Sequence, residues 1–308
     1  MSDRPTSAGV RYALKQAAET ILGNGLVTRL SRTWRSGQRL LLAFHNVVPQ
    51  GAPSEGDRSL HCSFDQFRRH LDLLQARHPI RSLEQALAPG SEETMIAITF
   101  DDAYAGAVLM GLPELSGRGI PATMFVAPGL LGAGVPWWDA IAGAEGLGED
   151  VRRDCLETLG GESSRVMEWA RQAGLRSSGG GETVRIATEA ELTGVASLKG
   201  VTLGAHSWSH PNLVRCAEAD LRHELSRTMQ WLEERFGGQA RKWLAYPYGL
   251  NDAAVRRSAA GAGYEAAFTI TGGWYRRPQD PFAIPRLNVP AGLSTGGLAA
   301  RLNGFLAG

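Results

Sequence analysis

Cysteine is scarce in this 308-residue sequence, and the cysteines are not spaced as a metal-binding or redox motif requires. Cys62, Cys155 and Cys216 are an odd number and include no Cys-x-x-Cys pair. That spacing excludes a zinc ribbon and a dithiol redox motif, and it favours free thiols in a reducing compartment. The first residues also lack the basic start, apolar stretch and small-residue cleavage site of a secretory signal. We therefore expect a cytoplasmic location.

Long apolar runs and a large excess of one charge are missing as well. The longest aliphatic or aromatic run, residues 40–44, is about five residues long, whereas a membrane helix needs about 20. Lys and Arg number 32 against 31 Asp and Glu, and this net charge of +1 argues against a dedicated nucleic-acid binder. Hydrophobic residues make up 43% of the chain, which is enough to bury a core and exclude disorder.

Basic charge is concentrated near the start of the chain. Arg29, Arg32 and Arg35 recur at helical spacing among aliphatic residues. The pattern favours a helix that packs on the main domain with a solvated arginine face. The alternative is an amphipathic helix that lies on an anionic membrane surface. We predict a basic helical segment over residues 1–38, with peripheral membrane contact left open.

Strand-like and helix-like patterns alternate through the rest of the chain. Apolar runs predict strands at 39–44, 95–100, 121–126, 201–205, 243–246 and 265–270, with a last strand at 282–284 or 287–289. Helical spacing predicts helices at 64–77, 218–236 and 252–262. Residues 129–195 have no clean strand and are predicted as a mostly helical insertion with a flexible loop at 177–181. The alternation favours an α/β fold over residues 39–290, a parallel sheet closed as a (β/α) barrel, followed by a C-terminal tail at 291–308.

Polar residues follow four of these strands, at the ends where parallel barrels carry their chemistry. They are His45, Asp101-Asp102, His206-Ser-Trp-Ser-His210 and Pro247-Tyr248-Gly249. Two adjacent aspartates point in different directions, so one can bind a cation while the other acts as a base. The alternative is that Asp102 caps a helix over 103–112.

The two histidines suggest a metal. Residues four apart share one face of a helical turn, although Pro211 shortens any turn that includes His210. A carboxylate beside His206 and His210 would complete a His₂Asp set with open positions, as a catalytic divalent ion requires.

These motifs together resemble the polysaccharide deacetylase family, the NodB-homology domain of carbohydrate esterase family 4. The motifs are ITFDD (98–102), HSWSH (206–210) and YPYG (246–249), with further similarity at 119–126 and 263–269. The resemblance covers roughly residues 39–290 and implies a distorted (β/α)7 barrel. It also implies hydrolysis of the N-acetyl group of an N-acetylated sugar, in exopolysaccharide or cell-envelope glycan synthesis.

The resemblance implies a role for each motif. Asp101 would be the general base on a metal-bound water, and the metal ligands would be Asp102, His206 and His210. The ion would be zinc, with cobalt, nickel or iron as alternatives. The backbone N–H of Tyr248 would help to hold the oxyanion.

Two positions depart from the family pattern. Ala245 stands where many members have an arginine, and Asn288 stands where many have the acid histidine. A branch that resembles the poly-β-1,6-N-acetylglucosamine deacetylases takes this histidine from the first strand, so we predict His45 as the general acid. The alternative is a histidine that merely forms a hydrogen bond at a strand end. Arg286 is a candidate for orienting Asp101 in place of the missing arginine.

Other residues leave more than one interpretation open. Tryptophans at 137, 138 and 208 could stack on sugar rings or pack in the core. We predict that the histidines at 61, 70, 78 and 223, which lie in helices or loops, are structural or exposed. Two other functions remain possible: an amidohydrolase that acts on a small cyclic or linear amide, and a glycan-binding barrel that has lost activity. The expected cytoplasmic location favours a nucleotide- or lipid-linked sugar over a finished polymer.

Overall fold

The structure is a computed structural model that describes residues 36–53, 55–143, 145–175, 181–276 and 280–304. Nearly all of the predicted N-terminal segment lies outside the described residues, and so does most of the predicted loop 177–181. Peripheral membrane contact through residues 1–38 therefore stays a prediction. No helix in the described ranges combines the length and the hydropathy needed to cross a bilayer.

A seven-stranded parallel sheet forms the centre of the molecule, beside a small two-stranded sheet. The strands are β1 (Arg39–Phe44), β2 (Asn46–Val48), β3 (His61–Ser63), β4 (Met95–Phe100), β5 (Ala122–Val126), β6 (Val201–Ala205), β7 (Ala240–Ala245), β8 (Ala266–Phe268) and β9 (Leu287–Asn288). The spatial order of the large sheet is β8-β7-β6-β5-β4-β1-β9, and β2 pairs with β3. The strands β1, β4 and β6 have their predicted bounds. In contrast, β7 begins three residues before its predicted start because its first residues are partly exposed and break the apolar run.

One segment near the C-terminus joins the two edges of this sheet. Ile284 pairs with Phe268 of β8, and Leu287–Asn288 pairs with β1. Residues from both alternatives for the last strand, 282–284 and 287–289, therefore pair with the sheet, one at each edge. The curled sheet and its surrounding helices form a distorted (β/α)7 barrel, which confirms the predicted fold class.

Helices cover the outside of the sheet. They are α1 (Phe64–Arg77), α2 (Leu83–Leu87), α3 (Leu112–Gly117, after a π-helical turn at Ala107–Gly111), α4 (Trp137–Ala140), α5 (Glu149–Glu157), α6 (Ser163–Gln172), α7 (Glu189–Ala196), α8 (Glu218–Phe236), α9 (Ala253–Gly261) and α10 (Thr295–Leu302). Helices α1 and α8 have the predicted bounds, and α9 is one residue shorter at each end. Its first turn is capped by Asp252, whose carboxylate accepts the backbone N–H of Val255 at 2.8 Å.

Two segments outside the regular alternation pack on the barrel. The described part of 129–195 contains α4, α5, α6 and most of α7, and no strand of either sheet. The predicted tail contains α10, whose apolar residues Leu298 and Leu302 are buried. The side-chain amide of Gln66 on α1 donates to the carbonyls of Ala291 and Leu293 at 2.8 and 2.6 Å. Residues 291–302 are thus attached to α1.

Candidate active site

The polar residues that follow β1, β4, β6 and β7 meet in one cavity at the carboxyl ends of the strands. This cavity has a volume of about 360 Å³. It is lined by all six residues predicted from the sequence: His45, Asp101, Asp102, His206, His210 and Tyr248. Their meeting follows from the topology, because parallel neighbours carry the residues after each strand to the same rim.

Asp102, His206 and His210 form a compact, buried group of potential ligands. The Oδ1 atom of Asp102 lies 3.3 Å from Nε2 of His206 and 3.1 Å from Nε2 of His210. The two Nε2 atoms are 3.1 Å apart. Ligand atoms on a tetrahedral ion with bonds of about 2.0–2.1 Å are separated by about 3.3 Å. Within the described ranges, Oδ1 of Asp102 accepts no hydrogen bond. The group therefore fits a small divalent metal ion.

The charges of Asp102 and His210 are consistent with a ligand role. Burial lowers the pKa of His206, but Asp101 and Asp102 outweigh it and raise this pKa above its usual value. Nδ1 of His206 lies 2.8 Å from the carbonyl of Ala245, so this nitrogen carries the proton and Nε2 offers a lone pair to the centre of the group. Burial alone raises the pKa of Asp102, but His210 and His206 outweigh it and hold this pKa well below its usual range. Burial lowers the pKa of His210. Asp102 is thus an anion at neutral pH and His210 is neutral, as metal ligands must be.

Left-handed backbone brings these ligands together. Among the described residues other than glycine, positive φ occurs only at Asp102 (70°), Ala103 (58°), Ser207 (59°), His210 (61°) and Tyr248 (58°). Every one of them belongs to a site motif or adjoins one. Such conformations cost about 1–3 kcal/mol each and persist where the surroundings hold them, most often at functional sites.

Two sequence-based expectations about this backbone are wrong. Asp102 does not cap a helix, because the helical residues begin only after Tyr104. The chain instead turns at Asp102 and Ala103, with the N–H of Ala103 donating to the carbonyl of Asp101 at 2.9 Å, and this turn sends the Asp102 carboxylate toward the histidines.

The His206–His210 segment is a tight loop, not a helical turn. The N–H of His210 donates to Oγ of Ser207 at 3.1 Å. The two imidazoles converge because Ser207 and His210 are both left-handed.

Asp101 forms a buried, bidentate pair with Arg286. Nη1 and Nη2 of Arg286 lie 2.7 Å from the two carboxylate oxygens. Nη1 also donates to Oγ1 of Thr99 at 3.0 Å, and Nε donates to the carbonyl of Thr269 at 3.1 Å. Burial raises the pKa of Asp101, but Arg286 outweighs it, so this pKa lies below its usual range. Arg286 lies just before β9, on the segment that closes the barrel, so Asp101 is paired with an arginine from another part of the chain although position 245 is an alanine.

His45 and Tyr248 occupy two further walls of the cavity. Burial lowers the pKa of His45, and the charges of Asp102 and Asp101 partly offset this effect. The hydroxyl of Tyr248 donates to the carbonyl of His210 at 3.2 Å, which ties the YPYG motif to the second histidine. Gly249 follows in the left-handed region, and a Cβ there would lie 2.4 Å from Cγ2 of Ile270, so only glycine fits.

The tryptophans differ in their placement. Trp138 lines the cavity, with its ring centroid 4.7 Å from that of His210, and Trp137 is buried behind it. Trp208 is not among the cavity-lining residues, and its ring is covered by the guanidinium of Arg227 at 3.6 Å. Of these three tryptophans only Trp138, which is itself only 2% exposed, borders the cavity.

Sequence reasoning missed several residues around the site. Arg152 of α5 lines the cavity and pairs with Asp57. Asp139 is fully buried, and its Oδ1 lies 2.9 Å from Nε2 of His61, which was predicted to be structural or exposed. Tyr104 donates to Oδ2 of Asp139 at 2.5 Å. These partners come from segments that are far apart in the sequence. The only sequence signal was that Asp139 directly follows two tryptophans.

Comparison with known proteins gives the same result for the fold and adds the family. The family model described as polysaccharide deacetylase matches residues 89–267, more than half of the chain. The deacetylase PplD of Streptococcus pyogenes, solved with acetate, superposes with a TM-score of 0.60 at 15% identity over 87% of this chain and 99% of that one. IcaB of Ammonifex degensii superposes with a TM-score of 0.60 at 19% identity over 87% of this chain and 97% of that one. The BpsB deacetylase domain of Bordetella bronchiseptica superposes with a TM-score of 0.52 at 15% identity over 82% of this chain and 96% of that one.

At these identities the structural likeness shows the fold, and the match to the family model shows the family. The ITFDD, HSWSH and YPYG motifs lie within the matched range, whereas His45, which follows β1, and Arg286, which precedes β9, lie outside it. This chain belongs to the polysaccharide deacetylase family of hydrolases, which act on carbon–nitrogen bonds other than peptide bonds.

Proposed function

We propose that this protein removes the acetyl group from an N-acetylated sugar, using a divalent metal ion held by Asp102, His206 and His210. The observation that carries the proposal is the convergence of three ligand atoms within 3.3 Å of one another, beside an ionised Asp101. The deacetylase PplD, a structural neighbour, is described as bound to acetate, the product that such a reaction releases. Zinc suits the mixed imidazole and carboxylate ligands.

Different residues around the ligand group carry out different steps of the reaction. When bound, a divalent ion acidifies a water molecule and polarises an amide carbonyl. Asp101 removes the proton from the attacking water, and Arg286 keeps this base ionised and correctly oriented. The backbone N–H of Tyr248 donates to the carbonyl oxygen as that oxygen gains negative charge.

His45 completes the reaction as the acid. It gives a proton to the sugar nitrogen when the carbon–nitrogen bond breaks, so that acetate and a free amine are released. Because burial lowers the pKa of His45, its imidazolium is a stronger acid than that of an ordinary histidine. The lowered pKa also means that the protonated fraction of His45 grows as the pH falls below neutrality.

The cavity suits a carbohydrate. Its volume of about 360 Å³ lies in the usual range for small-molecule sites. The indole of Trp138 forms an aromatic part of the wall, and Arg152 offers N–H donors to sugar hydroxyls. Leu60, Leu156 and Leu250 supply the apolar part of the wall.

The test is acetate release from β-1,4- and β-1,6-linked N-acetylglucosamine oligomers, with protein that has been chelated and then refilled with zinc or cobalt. We expect activity only after refilling. Asp101→Asn and His45→Gln should each lower kcat by about 10²–10⁴-fold, because each removes a proton-transfer group, without loss of metal. His223→Gln, an exposed histidine on α8, is the matched control and should match the wild type.

Other outcomes would replace parts of the proposal. Full activity in Asp101→Asn would overturn the assignment of the base, and full activity in His45→Gln would overturn that of the acid. Metal-refilled protein that hydrolyses a small cyclic or linear amide, but releases no acetate from any N-acetylated sugar, would establish the alternative amidohydrolase function.

A further inference from the structure

The loop between the two metal-site histidines is held from behind by a single carboxylate. Glu224 lies on α8 and is buried. Its Oε2 accepts the backbone N–H groups of Trp208 and Ser209, both at 2.8 Å. Its Oε1 accepts the hydroxyl of Ser209 at 2.6 Å. Three donors from two consecutive loop residues therefore converge on one side chain.

These contacts complete the hydrogen bonding of a strained loop. The N–H of His206 donates to the carbonyl of Val126 at 2.8 Å, and the N–H of His210 donates to Ser207. Trp208 and Ser209, whose N–H groups lie between them, point away from the ligand group and find their acceptor in Glu224. Without it, two N–H groups would lose their partner in a loop that already holds two left-handed residues, so the loop would relax.

The helix holds Glu224 rigidly in this position. Leu221 and Leu225, one turn apart, are both buried in the core. The hydroxyl of Thr228 donates to the carbonyl of Glu224 at 2.8 Å, and that of Tyr264 donates to the carbonyl of Leu225 at 2.9 Å. Among the described residues no cation forms an ion pair with Glu224, so the loop donors are what satisfies this buried carboxyl group.

We propose that Glu224 is a positioning residue for the metal site: it fixes the 207–209 loop so that the two histidine Nε2 atoms lie at ligand spacing. Glu224 does not contact either imidazole, and it acts through the backbone between them. The inference rests on the proposed metal site and names a residue on which the affinity of that site depends. Sequence spacing could not identify it, since the carboxylate lies 15 or 16 residues from its loop partners on another element.

The experiment compares Glu224→Ala, Glu224→Asp and Glu224→Gln with the wild type. Zinc dissociation constants are measured by competition with a chromophoric chelator, and the Tm of each metal-free protein is measured in parallel. We expect Glu224→Ala to bind zinc at least about tenfold more weakly, as is usual when a supporting partner of a metal ligand is lost. Glu224→Gln should recover most of the affinity, because its amide oxygen can accept both backbone N–H groups. Glu234→Ala, an exposed glutamate on the same helix, should bind zinc like the wild type.

Glu224→Asp keeps the carboxylate but shortens the side chain by one methylene, so it separates the effect of position from that of charge. This variant also replaces Glu224→Ala in the comparison if the alanine variant does not fold. We expect it to bind zinc more weakly than Glu224→Gln. Wild-type affinity in folded Glu224→Ala and Glu224→Asp, whatever their Tm, would overturn this inference alone. A wild-type protein that binds no divalent metal would overturn the proposed site and the inference with it.

Discussion

At the scale of single residues, the Asp101–Arg286 pair shows how the structure keeps a buried base ionised. A carboxylate in this position would normally be protonated more easily, because burial disfavours its charge. The guanidinium reverses this effect with two parallel hydrogen bonds of 2.7 Å. It also fixes the plane of the carboxylate, which a single point charge cannot do.

We therefore predict that Arg286→Lys lowers kcat by about tenfold to a hundredfold, since the base keeps a positive neighbour but loses its orientation. The acid limb of the pH profile of kcat/KM should also move to higher pH. Arg286 holds the pKa of Asp101 down, so weaker pairing raises that pKa, and the base is then protonated sooner as the pH falls. The measurement is kcat/KM from acid to neutral pH, with the exposed Arg222→Lys as control. An unchanged acid limb would contradict this role of Arg286.

The residues that could be predicted from the sequence are those whose position follows from a strand end. Asp101, Asp102 and His206 each come directly after a strand, so their meeting needs only the parallel topology. Arg286 lies 185 residues from Asp101, and only the absence of the family arginine at position 245 suggested it. Glu224 could not be found, because its role depends on how α8 packs against a loop.

At the scale of elements, continuous apolar runs and helical stripes predicted the strands and long helices well. The 206–210 loop was predicted poorly, because left-handed residues other than glycine are unfavourable in isolation and no local propensity indicates them. A tertiary contact from Glu224 and a hydrogen bond within the loop, from the N–H of His210 to Ser207, stabilise this conformation. Helix α10 was missed for a related reason: its residues 295–297 are Thr-Gly-Gly, and its position depends on contacts with α1.

The contact between α1 and the residues before α10 makes stability depend on pH. Nε2 of His70 donates to the carbonyl of Leu293 at 3.1 Å, and burial lowers the pKa of this histidine to about 4. In the unfolded chain its pKa is about 6.5. His70 therefore contributes its full stability above about pH 6.5, and the contribution is lost as the pH falls toward 4, because the unfolded state then binds the extra proton.

We predict that the free energy of unfolding falls between pH 7 and pH 4 by up to about 3 kcal/mol more in the wild type than in His70→Gln. Glutamine keeps a donor for the Leu293 carbonyl and does not titrate. Urea denaturation at several pH values measures the difference, and the exposed His223→Gln is the control. Parallel pH dependence in wild type and His70→Gln would show that His70 does not carry this effect.

At the scale of the whole molecule, closure of the barrel and construction of the site use the same segment. Residues 284–288 join β8 to β1, and within them Arg286 reaches Asp101 while Asn288 lines the cavity. Opening the barrel at this point would separate Asp101 from Arg286. The site is thus a property of the closed barrel, and its ligands come together only in the folded chain.

This dependence predicts how metal affects stability. Asp102 is separated by more than a hundred residues from the two histidines, so the unfolded chain binds a divalent ion far more weakly than the folded one. At a free zinc concentration a thousand times the dissociation constant, binding stabilises the fold by about 4 kcal/mol. For a chain of 308 residues that shifts the Tm by roughly 6 °C.

Scanning calorimetry with zinc and then with excess chelator should show this shift in the wild type. It should be nearly absent in Asp102→Asn, which keeps the size of the side chain but loses the anionic ligand. His223→Gln should respond like the wild type, since this imidazole is exposed on α8 and does not line the cavity. Equal Tm values for the zinc-loaded and chelated wild type would mean that the Asp102, His206 and His210 atoms, despite their spacing, do not hold a metal ion.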